Sequence, residues 1–201
     1  MRMTRVSGMT RRMGWDEGRW TTPPVEARTE GDALLVTAAE GSDAWRITSY
    51  GFVHDNEHAL LMPLPSGTAV EVEFDVTMTE QFDQAGLFLR ASVTRWAKAG
   101  IEFADGVANL GAVVTDERSD WSSAPMPHWA GRRATVRASR SGDAVTVRAG
   151  VDGEPLRLVR LFPLDPGVAL EAGPYLCAPT RAGLTVRFHR WELTDPDASL
   201  H

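Results

Sequence analysis

The sequence predicts an all-β fold in which two antiparallel sheets pack as a sandwich, and three observations support this. From Trp15 onward, short segments with alternating or continuous apolar character follow one another, rich in Val, Thr, Phe and Trp, which favour strands. Turn residues separate these segments, and Ser141-Gly142-Asp143 predicts a hairpin between its flanking strands. No stretch holds a helical apolar period over several turns, and 201 residues suit one large β domain. Many short strands with regular turns indicate two packed antiparallel sheets.

The strand candidates share β-branched and aromatic residues and are bounded by Gly, Pro, Asp and Ser. They are Ala33–Ala38, Thr68–Val76, Ala85–Val93, Trp96–Ala104, Leu110–Thr115, Arg133–Ala138, Ala144–Gly150, Leu156–Leu161, Gly167–Tyr175 and Gly183–Leu193. The opening segment shows no sustained period. We therefore expect a frayed N-terminus over residues 1–13 and a single sandwich domain over residues 14–201.

Composition and charge exclude several classes of function. The chain is 43% hydrophobic, with a net charge of -6 and a pI near 5.4, so we expect neither nucleic acid nor an anionic membrane as partner. No apolar run is long enough to span a bilayer, and the N-terminus lacks the pattern of a secretory signal. The lone Cys177 excludes an internal disulfide and suggests a cytoplasmic protein, in which it is a small buried side chain.

The strand pair from Gln84 to Phe103 is expected at the centre of the fold, because its two faces differ sharply. Successive side chains of a strand point to opposite faces. One face carries Ala85, Leu87, Leu89 and Ala91 of the first strand with Ala97, Ala99, Ile101 and Phe103 of the second. The other face carries Gln84, Gly86, Phe88 and Arg90 with Trp96, Lys98, Gly100 and Glu102. The first set suits the layer between two sheets.

The second face has two interpretations. Trp96 beside polar and charged groups, over glycines that lower the surface, is how a sugar ring or similar amphipathic ligand is held. The alternative is an ordinary solvated sheet face, on which Lys98 and Glu102 are surface charges.

Several motifs, in order along the chain, resemble the DUF1349 family, whose yeast member is known as a regulator of enolase. They are Asp43-Ala44-Trp45, Tyr50-Gly51-Phe52, Asp55-Asn56, Asp83-Gln84-Ala85-Gly86-Leu87, Trp96–Phe103, Asp105-Gly106, Val113-Val114-Thr115, Ser119-Asp120-Trp121-Ser122 and Gly173-Pro174-Tyr175. The resemblance covers roughly residues 14–193.

The resemblance implies a jelly roll of the concanavalin A-like lectin and glucanase type, with one concave face. Trp96, Lys98 and Glu102, with Gln84 beside them, would line that face, and a carbohydrate-like ligand becomes the leading expectation. Trp121 is expected in a loop. The full set of ligand-binding candidates is Trp45, Tyr50, Asp55, Gln84, Arg90, Trp96, Lys98, Glu102 and Trp121.

Catalysis is the second hypothesis. Glycosidases need two carboxylates a few ångströms apart, and Glu102 could be joined by Asp83 or Asp105, although both aspartates also precede turns. The alternating acids of Glu71–Asp75 look like the wet face of a strand. His54 and His58 have metal-ligand spacing only on a helix, which nearby Gly and Pro disfavour, so no metal is expected.

Three functions thus remain open on the sequence alone. They are a domain that binds a saccharide or other small ligand, a glycoside hydrolase using Glu102, and a regulatory domain that binds a protein. No cofactor is expected, and the chain would act as a monomer or a homodimer.

Overall fold

A computed structural model describes residues 8–200 of the chain. Within them, strands numbered in chain order form two large antiparallel sheets, confirming the predicted all-β sandwich. The first sheet runs β15 (Arg157–Pro163), β14 (Ala144–Val151), β13 (Arg133–Ser141), β8 (Thr68–Asp75), β17 (Thr185–Thr194), β4 (Ala33–Thr37) and β3 (Glu26–Glu30), with β1 (Thr10–Arg12) paired to β17. The second runs β12 (Arg118–Pro125), β11 (Val107–Asp116), β10 (Arg95–Ala104), β9 (Gln84–Arg90), β16 (Glu171–Cys177), β7 (His58–Pro63) and β2 (Arg19–Trp20). A separate hairpin joins β5 (Ala44–Arg46) to β6 (Val53–Asp55), and Pro127–Trp129 form a short 3-10 helix.

The main core fills the space between the two sheets. Alternate residues of β8, among them Val72 and Phe74, meet Leu87 of β9 and Ile101 of β10, and all are buried. The inward faces predicted for β9 and β10 are therefore confirmed. Each such fully buried aliphatic or aromatic side chain stabilises the fold by about 1.5–3 kcal/mol through removal of apolar surface from water.

The outer face of the first sheet is charged, as its alternation predicts. Glu71 pairs with Arg137 at 2.8 Å, and Asp75 contacts the His189 imidazole at 2.8 Å. The acidic residues of β8 are thus part of a network of ion pairs along the outer side of the sheet, as expected for the solvent-facing side of a strand.

A frayed end was expected over residues 1–13, and residues 10–13 of this segment are instead paired with the sheet. Thr10–Arg12 pair with β17, and Met13 is only 3% exposed, with its N–H donating to the Trp191 carbonyl at 2.8 Å. The side chains of β1 are exposed and polar, so the strand has no apolar alternation for a sequence pattern to reveal. Backbone pairing with residues 192–194 of β17 holds it instead. Residues 1–7 lie outside the described part of the chain.

The predicted hairpin around Ser141 is confirmed, since β13 and β14 pair from Ala134–Val151 to Ser141–Ala144. Over residues 8–200, no helix is both long and apolar enough to cross a membrane.

Candidate functional site

The second sheet carries a row of glycines across three neighbouring strands. Gly86 of β9, Gly100 of β10 and Gly111 of β11 are partners in register. A Cβ on Gly86 would lie 2.1 Å from the Ala99 carbonyl oxygen, and one on Gly100 would lie 2.2 Å from the Ala85 oxygen. These glycines are therefore required by the close approach of neighbouring backbones. A glycine inside a strand indicates close approach either by a ligand or by another backbone, and here it is the backbone.

The β5–β6 hairpin covers part of this face. Ala44 and Trp45 are buried in a second, smaller core against the outward side chains of the sheet, including Phe88 and Tyr175. The hairpin is also fixed to the sheet edge, because the Arg46 N–H donates to the Ser119 hydroxyl of β12 at 2.9 Å. The hairpin thus packs over the outer face of this sheet and is bonded to its edge strand β12.

A cleft of about 290 Å³ opens between this hairpin and the sheet. Its rim is aromatic: the rings of Tyr50 and Phe52 stack at 5.3 Å, and Trp45 makes edge contacts with Tyr50 at 5.6 Å and with Trp121 at 6.4 Å. Trp121 remains 44% exposed and Phe82 37%. The lining residues are Gly41, Asp43, Trp45, Tyr50, Phe52, His54, Phe82, Gln84, Lys98, Glu102, Val113, Trp121 and Pro179. We call this set the cleft.

The floor of the cleft is a fixed polar network around Lys98, which is only 4% exposed. Its Nζ donates to Asp43 Oδ1 at 3.0 Å and to Gln84 Oε1 at 2.7 Å. The amide of Gln84 in turn donates to Asp43 Oδ1 and to the Phe82 carbonyl, both at 3.2 Å. All three side chains are therefore held in one arrangement before any ligand arrives.

The charges of this network stabilise each other. Burial raises the pKa of Asp43, but the charge and hydrogen bond of Lys98 outweigh burial, and the pKa ends below its ordinary value. Burial likewise lowers the pKa of Lys98, but the charge and hydrogen bond of Asp43 together with the charges of Cys177 and Glu102 outweigh burial, so that this pKa ends raised. The pair is ionised at neutral pH and close to electrically neutral as a unit.

Glu102 differs from its neighbours. It is half-buried, and within residues 8–200 no donor is hydrogen-bonded or ion-paired to its carboxyl group. Burial raises its pKa from 4.5 to about 7, the Lys98 charge opposes this rise, and the Asp43 charge adds to it. At neutral pH the carboxyl group therefore exchanges between its acid and its carboxylate, so it can donate or accept a hydrogen bond.

The structure brings together most of the predicted ligand-binding residues. Trp45, Tyr50, Gln84, Lys98, Glu102 and Trp121 all line the cleft. Trp121 reaches it from strand β12, because the segment expected to be a loop pairs with β11.

Three of the predicted binding residues lie elsewhere. Trp96 is 6% exposed and stacks on Phe88 at 5.4 Å in the smaller core, so it is no platform for a ligand. Arg90 faces a different hollow, beside Arg19 and Glu171. Asp55 lies on the exposed side of β6, since alternation turns His54 toward the cleft instead.

Neither proposed catalytic partner of Glu102 reaches the cleft. Asp83 is 0% exposed and is bound by the Arg181 guanidinium at 2.6 Å, with a further bond from the Glu80 N–H at 3.2 Å. Asp105 is exposed in a tight turn, with φ of 55° before Gly106 at 79°. Asp83 thus holds a loop in place, whereas Asp105 occupies a turn position. The second carboxylate in the cleft is Asp43.

Four residues that were not among the predicted binding residues also line the cleft: Asp43, Phe52, His54 and Phe82. Asp43 was visible as the first residue of the Asp43-Ala44-Trp45 motif, but nothing in the sequence indicated its contact with Lys98.

Metal binding by the two neighbouring histidines has no geometric support. Both ring nitrogens of His58 are occupied: Nε2 accepts from the Ala39 N–H and Nδ1 donates to the Thr22 carbonyl, each at 3.0 Å. The part of the chain that the structure describes contains no group of three His, Cys, Asp or Glu side chains arranged for a metal ion. Cys177 is fully buried, and burial raises the pKa of its thiol, in agreement with its interpretation as a core residue.

Comparison with known proteins identifies the family. The sequence pattern of the family described as "Protein of unknown function (DUF1349)" matches residues 20–196. A Saccharomyces cerevisiae protein named Regulation of enolase protein 1 is 34% identical over 180 residues, which are 90% of this chain and 90% of that protein. A crystal structure of a functionally unknown protein from Saccharomyces cerevisiae matches with a TM-score of 0.86 and 32% identity, over 92% of this chain and 100% of that one.

A more distant match shows the fold alone. The bifunctional GH43-CE protein of Bacteroides eggerthii matches with a TM-score of 0.65 and 15% identity, over 84% of this chain and 22% of that one. The resemblance first indicated by the motifs is thus confirmed by both sequence and structure, and the chain belongs to the DUF1349 family.

Proposed function

We propose that the cleft binds a small polyhydroxylated ligand of the saccharide class. One observation carries this proposal: exposed aromatic rings stand at the rim of a cleft whose floor is a preformed network of hydrogen-bonding groups. The apolar face of a sugar ring packs on aromatic rings, and its hydroxyl groups need fixed donors and acceptors. The volume of about 290 Å³ is near the lower end of the range for small-molecule sites.

The floor is suited to orienting such a ligand. Lys98 uses two of its three N–H bonds on Asp43 and Gln84, which leaves one donor for a ligand hydroxyl. Because the protein itself already holds this ammonium group in place, ordering it adds little to the entropic cost of binding. Gln84 and Glu102 lie opposite each other on adjacent strands and would contact neighbouring positions of the same ligand.

Hydrolysis is not the proposal, because the structure separates Glu102 from both of its expected partners. Regulation through a protein partner is the competing function. It is supported by the exposed apolar rim of Tyr50, Phe52 and Trp121 and by the name of the yeast relative. A cytoplasmic location, supported by the single buried Cys177, is part of the same proposal.

The test is a glycan-array screen followed by titration calorimetry with any saccharide that binds. We expect Tyr50→Ala and Trp121→Ala to weaken binding about fivefold or more, because each aromatic contact contributes on the order of 1 kcal/mol. Leu161→Ala is the matched control, since it removes an exposed apolar side chain from β15 of the other sheet.

Two results would refute the proposal. One is the absence of binding to any saccharide on the array. The other is equal binding by the rim variants and the wild type. A protein that binds through the same rim, and that loses binding in the same two variants, would favour the competing function.

A further inference from the structure

The polar atoms on the floor of the cleft are not balanced between donors and acceptors. Asp43 Oδ1 accepts three hydrogen bonds, from Ala44, Gln84 and Lys98, whereas Oδ2 accepts none within residues 8–200. The Glu102 carboxyl is also without a donor in that part of the chain. On the floor, one remaining Lys98 N–H stands against these three oxygen atoms, and the other donors of the lining belong to Tyr50, His54 and Trp121 around it. A ligand group that reaches the floor must therefore bring mainly donors.

The charges of the cleft point the same way. Lys98 is compensated by Asp43, at 3.0 Å, so among the described residues Glu102 is the acidic group of the cleft without an ion-pair partner. Burial keeps part of the Glu102 population protonated, with a pKa of about 7, because the charge of Lys98, which is paired with Asp43, does not offset the burial. A cation next to it would supply the missing partner.

The aromatic rim adds a third argument. The rings of Tyr50, Phe52 and Trp121 stand around the same opening. Aromatic faces attract ammonium groups as well as the C–H faces of sugars. Rings and an unpaired carboxylate around one opening are a combination that suits a cation with an apolar body.

Building on the proposed function, we propose that the ligand of the cleft is an amino sugar, whose ammonium group is bound by Glu102 and the free oxygen of Asp43. Its ring packs on the aromatic rim. A hydroxyl group of the sugar accepts the third N–H of Lys98. A neutral sugar could bond to the same oxygens, but it would leave the charge of Glu102 without compensation.

The test uses three ligands that differ at one position of one sugar: the methyl glycosides of glucose, glucosamine and N-acetylglucosamine. Titration calorimetry near neutral pH gives the three affinities. We expect glucosamine to bind about tenfold or more tightly than the other two, because only it offers a charged donor.

Two variants locate the effect. Glu102→Gln keeps the size of the side chain and removes its charge, and we expect it to abolish the preference for glucosamine. Glu26→Gln removes the same charge from the exposed strand β3 of the other sheet and should leave the preference intact.

The outcomes separate the two proposals. If the neutral glycosides bind as tightly as glucosamine, or if Glu102→Gln keeps the preference, this inference is wrong while saccharide binding stands. If no saccharide of any kind binds the wild-type protein, the proposed function falls and this inference falls with it.

Discussion

The clearest consequence of the structure for stability is that Glu102→Gln should make the ligand-free protein more resistant to unfolding at neutral and alkaline pH. Burial without a partner raises the pKa of Glu102 from 4.5 to about 7. At about 1.4 kcal/mol per pKa unit, that rise corresponds to about 3 kcal/mol of cost for the ionised form in the folded state. This is an upper figure, because the half-buried carboxyl group keeps some contact with solvent.

The sign follows from proton binding. Between pH 4.5 and about 7 the folded protein holds a proton that the unfolded chain has released, so the free energy of unfolding falls as the pH rises. Below that window both states are protonated, and above it both are ionised and the full cost is present. Glutamine cannot ionise. The advantage of the variant should therefore be absent below the window, grow through it and level off above it.

Urea unfolding followed by circular dichroism, at pH values on both sides of this window, measures the effect. Other carboxyl groups titrate equally in both proteins and cancel in the difference. Glu26→Gln, at an exposed site of β3, should show no such pH-dependent gain. A difference between Glu102→Gln and wild type that is constant with pH, or that favours the wild type above pH 7, would refute the reasoning.

Three further substitutions test the scaffold around the cleft, each by urea unfolding. Gly86→Ala would place a Cβ 2.1 Å from the Ala99 oxygen, and the forced separation of the strands should lower the free energy of unfolding by about 1–3 kcal/mol. Asp43→Asn leaves the buried Lys98 without its counter-ion and should lower the free energy of unfolding by about 3–5 kcal/mol. Trp96→Ala removes a buried ring that stacks on Phe88, and it should lower the free energy of unfolding by about 3–5 kcal/mol. Removal of a ring from an exposed ligand platform would lower it much less.

Each of these substitutions has a control of the same chemistry at an exposed site. Gly167→Ala would place its Cβ 3.4 Å from the nearest side chain and should be nearly neutral. Asp32→Asn removes an ion pair whose aspartate is 87% exposed and should change stability by less than about 1 kcal/mol. Leu161→Ala is the exposed counterpart of Trp96→Ala. A test variant that matches its control would contradict the contact on which that prediction rests.

Strand alternation was enough to divide the central strand pair correctly. Ala97 and Ile101 lie in the core between the sheets, while Lys98 and Glu102 face the cleft. The reason is local: in an extended chain, neighbouring side chains point to opposite faces whatever the rest of the fold does.

Alternation could not decide what covers a face. Trp96 shares the face of Lys98, yet it is buried in the smaller core, where it stacks on Phe88 and belongs to the same cluster as Trp45 of the β5–β6 hairpin. Asp83 looked available beside Gln84, but Arg181, 98 residues away in the chain, occupies its carboxylate. Strand β1 is exposed and polar, so its sequence has no apolar pattern. Its backbone pairing with β17 holds it in place.

The sequence by itself therefore determined the all-β sandwich, the family, and the outward direction of Gln84, Lys98 and Glu102, because periodicity and motifs are properties of neighbouring residues. Only the tertiary structure decided that Asp43, 55 residues before Lys98, is its counter-ion, and that Glu102 has no such partner within residues 8–200. Charge pairing depends on distances in space between residues far apart in the chain, and those distances set which polar groups of the strand pair support the fold and which remain free for a ligand.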